Sequence, residues 1–132
     1  MFVYLSDEAR EYFSSLATCS LNENPNGFLL GHKRGSSFIV ERGVPGRKNL
    51  FDSPQEFSNL IQSFPRQLIG FYTLSPPSQW ASKLFQPITA GLLLLQLEIK
   101  AIKKINYHPY LIDFEGHFSY KKLNIVSFQE GE

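Results

Sequence analysis

Residues 27–31 read Gly-Phe-Leu-Leu-Gly, and residues 70–76 read Gly-Phe-Tyr-Thr-Leu-Ser-Pro. Each is a short apolar run opened by glycine. Turn formers bound them, with Asn22, Asn24, Pro25 and Asn26 before the first and Pro76-Pro77 at the end of the second. Apolar runs of this length between such flanks read as buried strands, since four to eight residues suffice for a strand but fall short of a helix. Proline has no N–H to give a ladder, so Pro76-Pro77 closes the second strand. How these two segments sit relative to one another decides the fold.

Outward from the first segment, the chain begins with a helix. Ser6 is a capping residue, and Asp7 and Glu8 suit the positive end of a helix dipole. Ala9, Tyr12, Phe13, Leu16 and Ala17 follow at helical spacing and form one apolar stripe. On the other side, Phe38-Ile39-Val40 pairs with Phe28-Leu29-Leu30 as a hairpin, across a polar stretch from His32 to Ser37 that contains Gly35. Residues 43–49 read as a loop. Ser53-Pro54-Gln55-Glu56 is a capping box with proline at the first helical position, and Phe57, Leu60, Ile61 and Phe64 give that helix its buried face. Trp80, Ala81, Leu84 and Phe85 share a face of a short third helix ended by Pro87. Residues 92–105 fit both periods: Leu95, Leu97 and Ile99 alternate with Gln96, Glu98 and Lys100, while Leu92, Leu95, Ile99 and Ile102 also match a helix. The alternation favours a strand for the first half. Residues 110–114 and 117–122 flank Glu115-Gly116, a tight turn between two further strands.

Composition sets the outer bounds. A chain of 132 residues is long enough for one domain and too short for two. Thirteen Lys and Arg against twelve Asp and Glu leave a formal charge of +1, which projects no strong field toward nucleic acid or an anionic membrane. The single Cys19 cannot form an internal disulfide and suits a reducing compartment. Asp7 and Glu8 stand where a secretory leader would be basic and then apolar, and no apolar run approaches the ~18 residues of a membrane span. A cytoplasmic protein is the expectation.

The two quoted strands resemble the anchor motifs of the JAB/MPN domain, a family of zinc isopeptidases and their inactive scaffold relatives. The resemblance runs from about Ser6 to Phe128, although its specific part is confined to short pieces. It implies an α/β fold, MPN-like and cytidine-deaminase-like, with a mixed sheet flanked by helices. In metal-binding members of the family the second strand ends in His-x-His-Pro, and this chain has Thr73-Leu74-Ser75-Pro76 there. The family's glutamate falls on Asn24, with Glu23 adjacent. Its downstream Ser and Asp fall near Lys83 and Gln86, with Ser82 one residue off and no Asp between Asp52 and Asp113. Gly70, Tyr72 and Pro76 keep the family identities.

A hydrolytic zinc ion needs three protein ligands, usually imidazole or carboxylate, and an open position for water. Neutral hydroxyls at Thr73 and Ser75 and the amides of Asn24 and Gln86 are poor substitutes, so the degenerate cleft is read as metal-free and the chain as requiring no cofactor. The resemblance then implies a protein-binding or scaffolding module. Its partner would be a ubiquitin-like or sulfur-carrier protein, another MPN subunit, or a second copy in a homodimer, with no membrane and no nucleic acid expected. Tyr72, Pro76, Trp80 and Phe85 border the cleft and are the candidate partner contacts, Trp80 either as an exposed anchor or packed against the sheet.

Other readings stay open beside this one. A hydrolase with displaced ligands would draw on Glu23 with His32, His108 or His117. His108 and His117 could face each other across the last hairpin, with Asp113 or Glu115 as a third ligand. Thr73 and Ser75 as nucleophiles lack a local signature such as Gly-x-Ser-x-Gly, and as strand-end hydroxyls they would satisfy nearby backbone groups. Cys19 reads as a structural thiol. Lys100, Lys103, Lys104, Lys121 and Lys122 could gather on one rim of the sheet, as a solvated edge or, in a third reading, as a nucleic-acid contact.

Overall fold

The computed structural model describes residues 2–19, 26–46, 59, 62–63, 67–74, 80, 90–101 and 104–127. The chain opens with strand β1 (Phe2–Leu5) and turns at Ser6 into helix α1 (Asp7–Cys19). The Ser6 hydroxyl accepts the N–H of Ala9 at 3.0 Å, which caps the helix. It also donates to the Glu41 carbonyl and so ties the cap to the sheet. Ala9 and Phe13 are fully buried, and Tyr12 and Leu16 flank them, as the apolar stripe requires.

Strands β2 (Asn26–Arg34) and β3 (Ser37–Pro45) form the expected hairpin, turning through Gly35 at a φ of 62°. The hairpin is longer than its apolar centre. Gly43, Val44 and Pro45 pair with Leu29, Phe28 and Gly27, so the segment read as a loop begins as strand. Gly43 is required there by the helix, because a Cβ would stand 2.7 Å from the Tyr12 ring.

Strands β4 (Leu68–Thr73), β5 (Leu93–Ala101), β6 (Lys104–Phe114), β7 (Phe118–Lys122) and β8 (Asn124–Ser127) complete one sheet. Its order is β7-β6-β5-β4-β2-β3-β1-β8. The pairs β1·β3, β1·β8 and β4·β5 are parallel and the others antiparallel. Leu123 joins β7 to β8 and donates its N–H to the Pro109 carbonyl at 2.9 Å. The last strand therefore leaves one edge of the sheet and pairs at the other, bending eight strands into a nearly closed, barrel-like sheet. Inside it, α1 packs Ala9 and Phe13 against Val3, Leu5, Leu29, Phe38, Val40, Ile69, Tyr72, Leu93, Leu95 and Leu97. The opposite face carries a smaller cluster of Phe28, Leu30, Leu68, Phe71, Trp80, Leu94 and Ile112.

The expected α/β, MPN-like sheet flanked by helices is therefore corrected. The described residues are predominantly strand, and α1 is the one helical element traced in full among them. Two causes account for the difference. Strands β1 and β8 have four residues each, too few to show a period, and both escaped the sequence reading. In β5, Leu93, Leu94 and Leu95 are all buried because both faces of this central strand are covered, so the helical spacing of Leu92, Leu95 and Ile99 was coincidental. The helices expected at 53–64 and 80–85 lie outside the described residues, apart from Asn59, Gln62, Ser63 and Trp80, which are helical.

Candidate functional site

The two quoted segments lie side by side. β2 and β4 pair antiparallel, with Gly27 opposite Tyr72 and Asn26 opposite Thr73. The register continues across the sheet, Thr73 to Gln96 on β5 and Gln96 to His108 on β6. Directly paired residues project to the same face, so Asn26, Thr73, Gln96 and His108 form a polar row across four strands. The neighbouring row on that face, Phe28, Phe71, Leu94 and Tyr110, is apolar. Thr73 is the one buried polar side chain among the described residues, and Asn26 keeps a buried Oδ1 without a hydrogen-bond partner. At the far end His108 Nε2 lies 3.1 Å from Glu98 Oε1. That hydrogen bond, followed by Lys100 at 3.3 Å, holds the Glu98 carboxyl below its usual pKa.

An imidazole on a carboxylate can move a proton, but a nucleophile must lie within about 3 Å of it or one water away. Thr73 is two strands from His108, roughly 9–10 Å at ~4.8 Å per strand. The row thus holds an acid–base pair and a hydroxyl that do not reach each other. Of the other degenerate-cleft positions, Asn24, Ser75 and Gln86 lie outside the described residues, as do the partner candidates Pro76 and Phe85.

The described histidines are dispersed. His32 is exposed on β2 with Nδ1 3.7 Å from Glu41. His117 sits in the β6–β7 turn, whereas His108 lies beyond the last β6–β7 pair, so the expected facing of these two is corrected. Asp113 and Glu115, considered as a third ligand, both engage Lys121, at 2.9 and 3.6 Å. Lys121 holds the Asp113 carboxyl below its usual pKa, and the two carboxylates hold the lysine above its own. Among the described residues no group of three His, Cys, Asp or Glu is placed to hold a metal ion. Of the lysine rim, Lys100 pairs with Glu98 and Lys121 with Asp113.

Two partner candidates are interior groups. Tyr72 is fully buried on the helix side, its hydroxyl 2.6 Å from that of Tyr12 and its ring edge-on to Tyr12 and Phe13. Burial drives its phenol far above the ordinary tyrosine range. Gly27 makes room for that ring, since a Cβ there would stand 2.7 Å from it. Trp80 is 1 % exposed and packs on Tyr110 and Tyr120, with centroids 5.8 and 5.2 Å away. The exposed anchor considered for Trp80 is thus replaced by a packed one.

The packed tryptophan begins a stripe that the sequence reading missed. Tyr110 and Tyr120 stack edge-on at 5.4 Å, and Phe114 and Phe118 at 4.9 Å, all on the outer face of the β6–β7 hairpin. Exposure rises along it to 42 % at Tyr120 and 52 % at Phe114. The signal was present as aromatic residues an even number apart on each strand, Tyr110 with Phe114 and Phe118 with Tyr120, which share one face once the hairpin is in register.

No family model matches this chain, and no curated protein matches it. Among solved structures it is similar to the solution structure of protein DSY2949 from Desulfitobacterium hafniense, a structural-genomics target. The match has 20 % identity and a TM-score of 0.69, covering 97 % of this chain and 94 % of that one. At that identity the likeness shows the fold alone. No helix among the described residues is long and apolar enough to cross a membrane.

Proposed function

We propose that this chain is a non-catalytic protein-binding module, carrying JAB/MPN-type strand motifs without that family's zinc ligands and working in the cytoplasm. The observation that carries the reading is the aromatic stripe, buried at Trp80 and open to solvent at Tyr120 and Phe114. Contiguous exposed aromatic surface backed by a packed cluster is what interface anchors require. A folded protein presenting its own apolar patch fits such a surface better than an ion or a nucleotide does. Thr73 in place of a histidine, and carboxylates tied to Lys100 and Lys121, agree with a role that needs no metal.

A photo-crosslinking residue at Tyr120 tests this, with Glu11 on the exposed side of α1 as control. Discrete adducts from Tyr120 alone are expected, and sedimentation of the purified protein separates self-association from a foreign partner. Equal adducts from both positions would remove the assignment. Elemental analysis supplies the contrary arm: stoichiometric zinc that disappears when His32, His108 and His117 are changed to Ala would favour the hydrolase with displaced ligands.

A further inference from the structure

The outward positions of the β6–β7 hairpin are Tyr110, Ile112 and Phe114 on one strand and Phe118, Tyr120 and Lys122 on the other, since directly paired residues share a face. Five of the six are apolar or aromatic, and the sixth is the exposed cation Lys122, in register with Tyr110. None of the six is a carboxylate. The acids of the hairpin stand elsewhere: Asp113 alternates to the opposite face and Glu115 lies in the turn, and Lys121 engages both, at 2.9 and 3.6 Å. Charge is thus neutralised on one side of the hairpin and uncompensated on the aromatic side. Lys122 differs in this from the other lysines whose side chains are described. Lys33 lies over the Phe38 ring at 5.0 Å, and Lys100 pairs with Glu98 at 3.3 Å. Among the described residues Lys122 has no such partner.

We propose, resting on the reading of the stripe as a protein-binding surface, that its partner is an extended protein segment with a carboxylate beside apolar side chains. The apolar groups cover Phe114, Phe118 and Tyr120, and the carboxylate meets Lys122. Successive outward residues of a strand stand about 7 Å apart, and an extended partner repeats that spacing, so its acidic residue lies two or four positions from its apolar anchors. Covering the rings also removes water from around Lys122. A carboxylate offsets that loss, whereas a neutral or basic segment does not. Lys122 lies on β7, at one end of the strand order, and a lysine on an edge strand discourages strand pairing. That role asks nothing of a partner's charge, so reversing the charge separates the two.

The test selects peptides from a heptapeptide phage library, randomised at every position, on the immobilised full chain. The wild-type protein is expected to enrich Asp and Glu over Lys and Arg about threefold, the effect of one exposed ion pair, with apolar residues two or four positions away. Lys122→Glu should reverse that preference and keep the apolar positions, and Lys122→Gln should erase it. Arg34→Glu changes the net charge as Lys122→Glu does, but at the β2–β3 turn, and should leave the preference as in wild type. Phe114→Ser should lower recovery of the selected peptides about tenfold or more, whatever their charge. Phe114 and Lys122 are both exposed, so these variants keep the fold. A preference that is absent in wild type, unchanged in Lys122→Glu, or reversed equally by Arg34→Glu would overturn the acidic partner. If Phe114→Ser still lowers recovery in that case, the stripe stands as a binding surface; equal recovery by wild type and Phe114→Ser would remove the stripe as well. Two further outcomes overturn the proposal by assigning another occupant: a dimer in sedimentation that Phe114→Ser dissociates, which makes it a second copy, and binding to phosphatidylserine vesicles that Lys122→Glu abolishes, which makes it an anionic membrane.

Discussion

Replacing Tyr12 with Phe tests the most confined polar contact in the inner core. The Tyr72 hydroxyl is fully buried and meets the Tyr12 hydroxyl at 2.6 Å. Tyr12→Phe strands the Tyr72 hydroxyl among Phe13, Leu95 and their neighbours, and an unpaired buried hydroxyl costs about 1–3 kcal/mol. Tyr72→Phe strands the Tyr12 hydroxyl instead, but that ring is half-buried and can turn to water, so the loss falls to about 0.5–1.5 kcal/mol. The double variant leaves no orphan and should lose less than the two singles together, a coupling of roughly 1 kcal/mol. Urea denaturation reads all three. With a slope of about 1.5 kcal/mol per molar, a 2 kcal/mol loss lowers the midpoint by about 1.3 M. Additive single effects, or a Tyr72→Phe loss larger than that of Tyr12→Phe, would refute the account of a buried hydroxyl held by a partly solvated partner.

Gly70→Ala should destabilise by about 2 kcal/mol or more, because the new Cβ would stand 2.7 Å from the Leu93 carbonyl carbon and force β4 from β5. Gly35→Ala meets open space and pays only for its left-handed backbone, about 1 kcal/mol, so the two midpoints should separate clearly. Trp80→Phe removes a buried indole N–H that has no partner and should cost much less than Trp80→Ala, for which about 3–5 kcal/mol is expected from the lost ring volume. Burial raises the phenols of Tyr12, Tyr72 and Tyr107. A raised folded pKa gives stability that is whole below the unfolded value near ~10 and is lost as pH climbs above it. The urea midpoint should therefore be lower at pH 11 than at pH 8, and the difference should shrink in the Tyr12→Phe/Tyr72→Phe variant.

What could be read without coordinates was whatever a single element specifies by itself. Ser6, Asp7 and Glu8 announce a helix start, and Gly35 a turn, because capping and positive φ are local requirements. The β2 and β4 cores were recognisable because proline and glycine bracket them. The layers were not. Whether helices cover both faces of a sheet depends on pairings such as Phe2 with Asn124, more than a hundred residues apart, which no window contains. The site followed the same rule. Thr73 was identified from a motif, whereas Gln96 and His108 joined it through register alone. Trp80 stood out by its rarity, yet its burial is decided by Tyr110 and Tyr120, residues that become its neighbours once β6 and β7 pair.

The two faces of the sheet divide the work. On the helix side, large side chains from five strands and α1 close on one another, and a single hydrogen bond satisfies the two hydroxyls that reach in. This face holds the fold, since almost every side chain on it is removed from water. On the other face the apolar surface is fully buried at Phe71 and Leu94 and half in solvent at Tyr120 and Phe114. Burial that fades across one surface leaves the outer rings with apolar area still to remove from water, about 25 cal/mol for each Å² covered. On the proposed reading a partner supplies that cover, and because Phe114 is the most exposed ring of the surface and remote from the helix-side core, Phe114→Ser should weaken binding while the urea midpoint moves little.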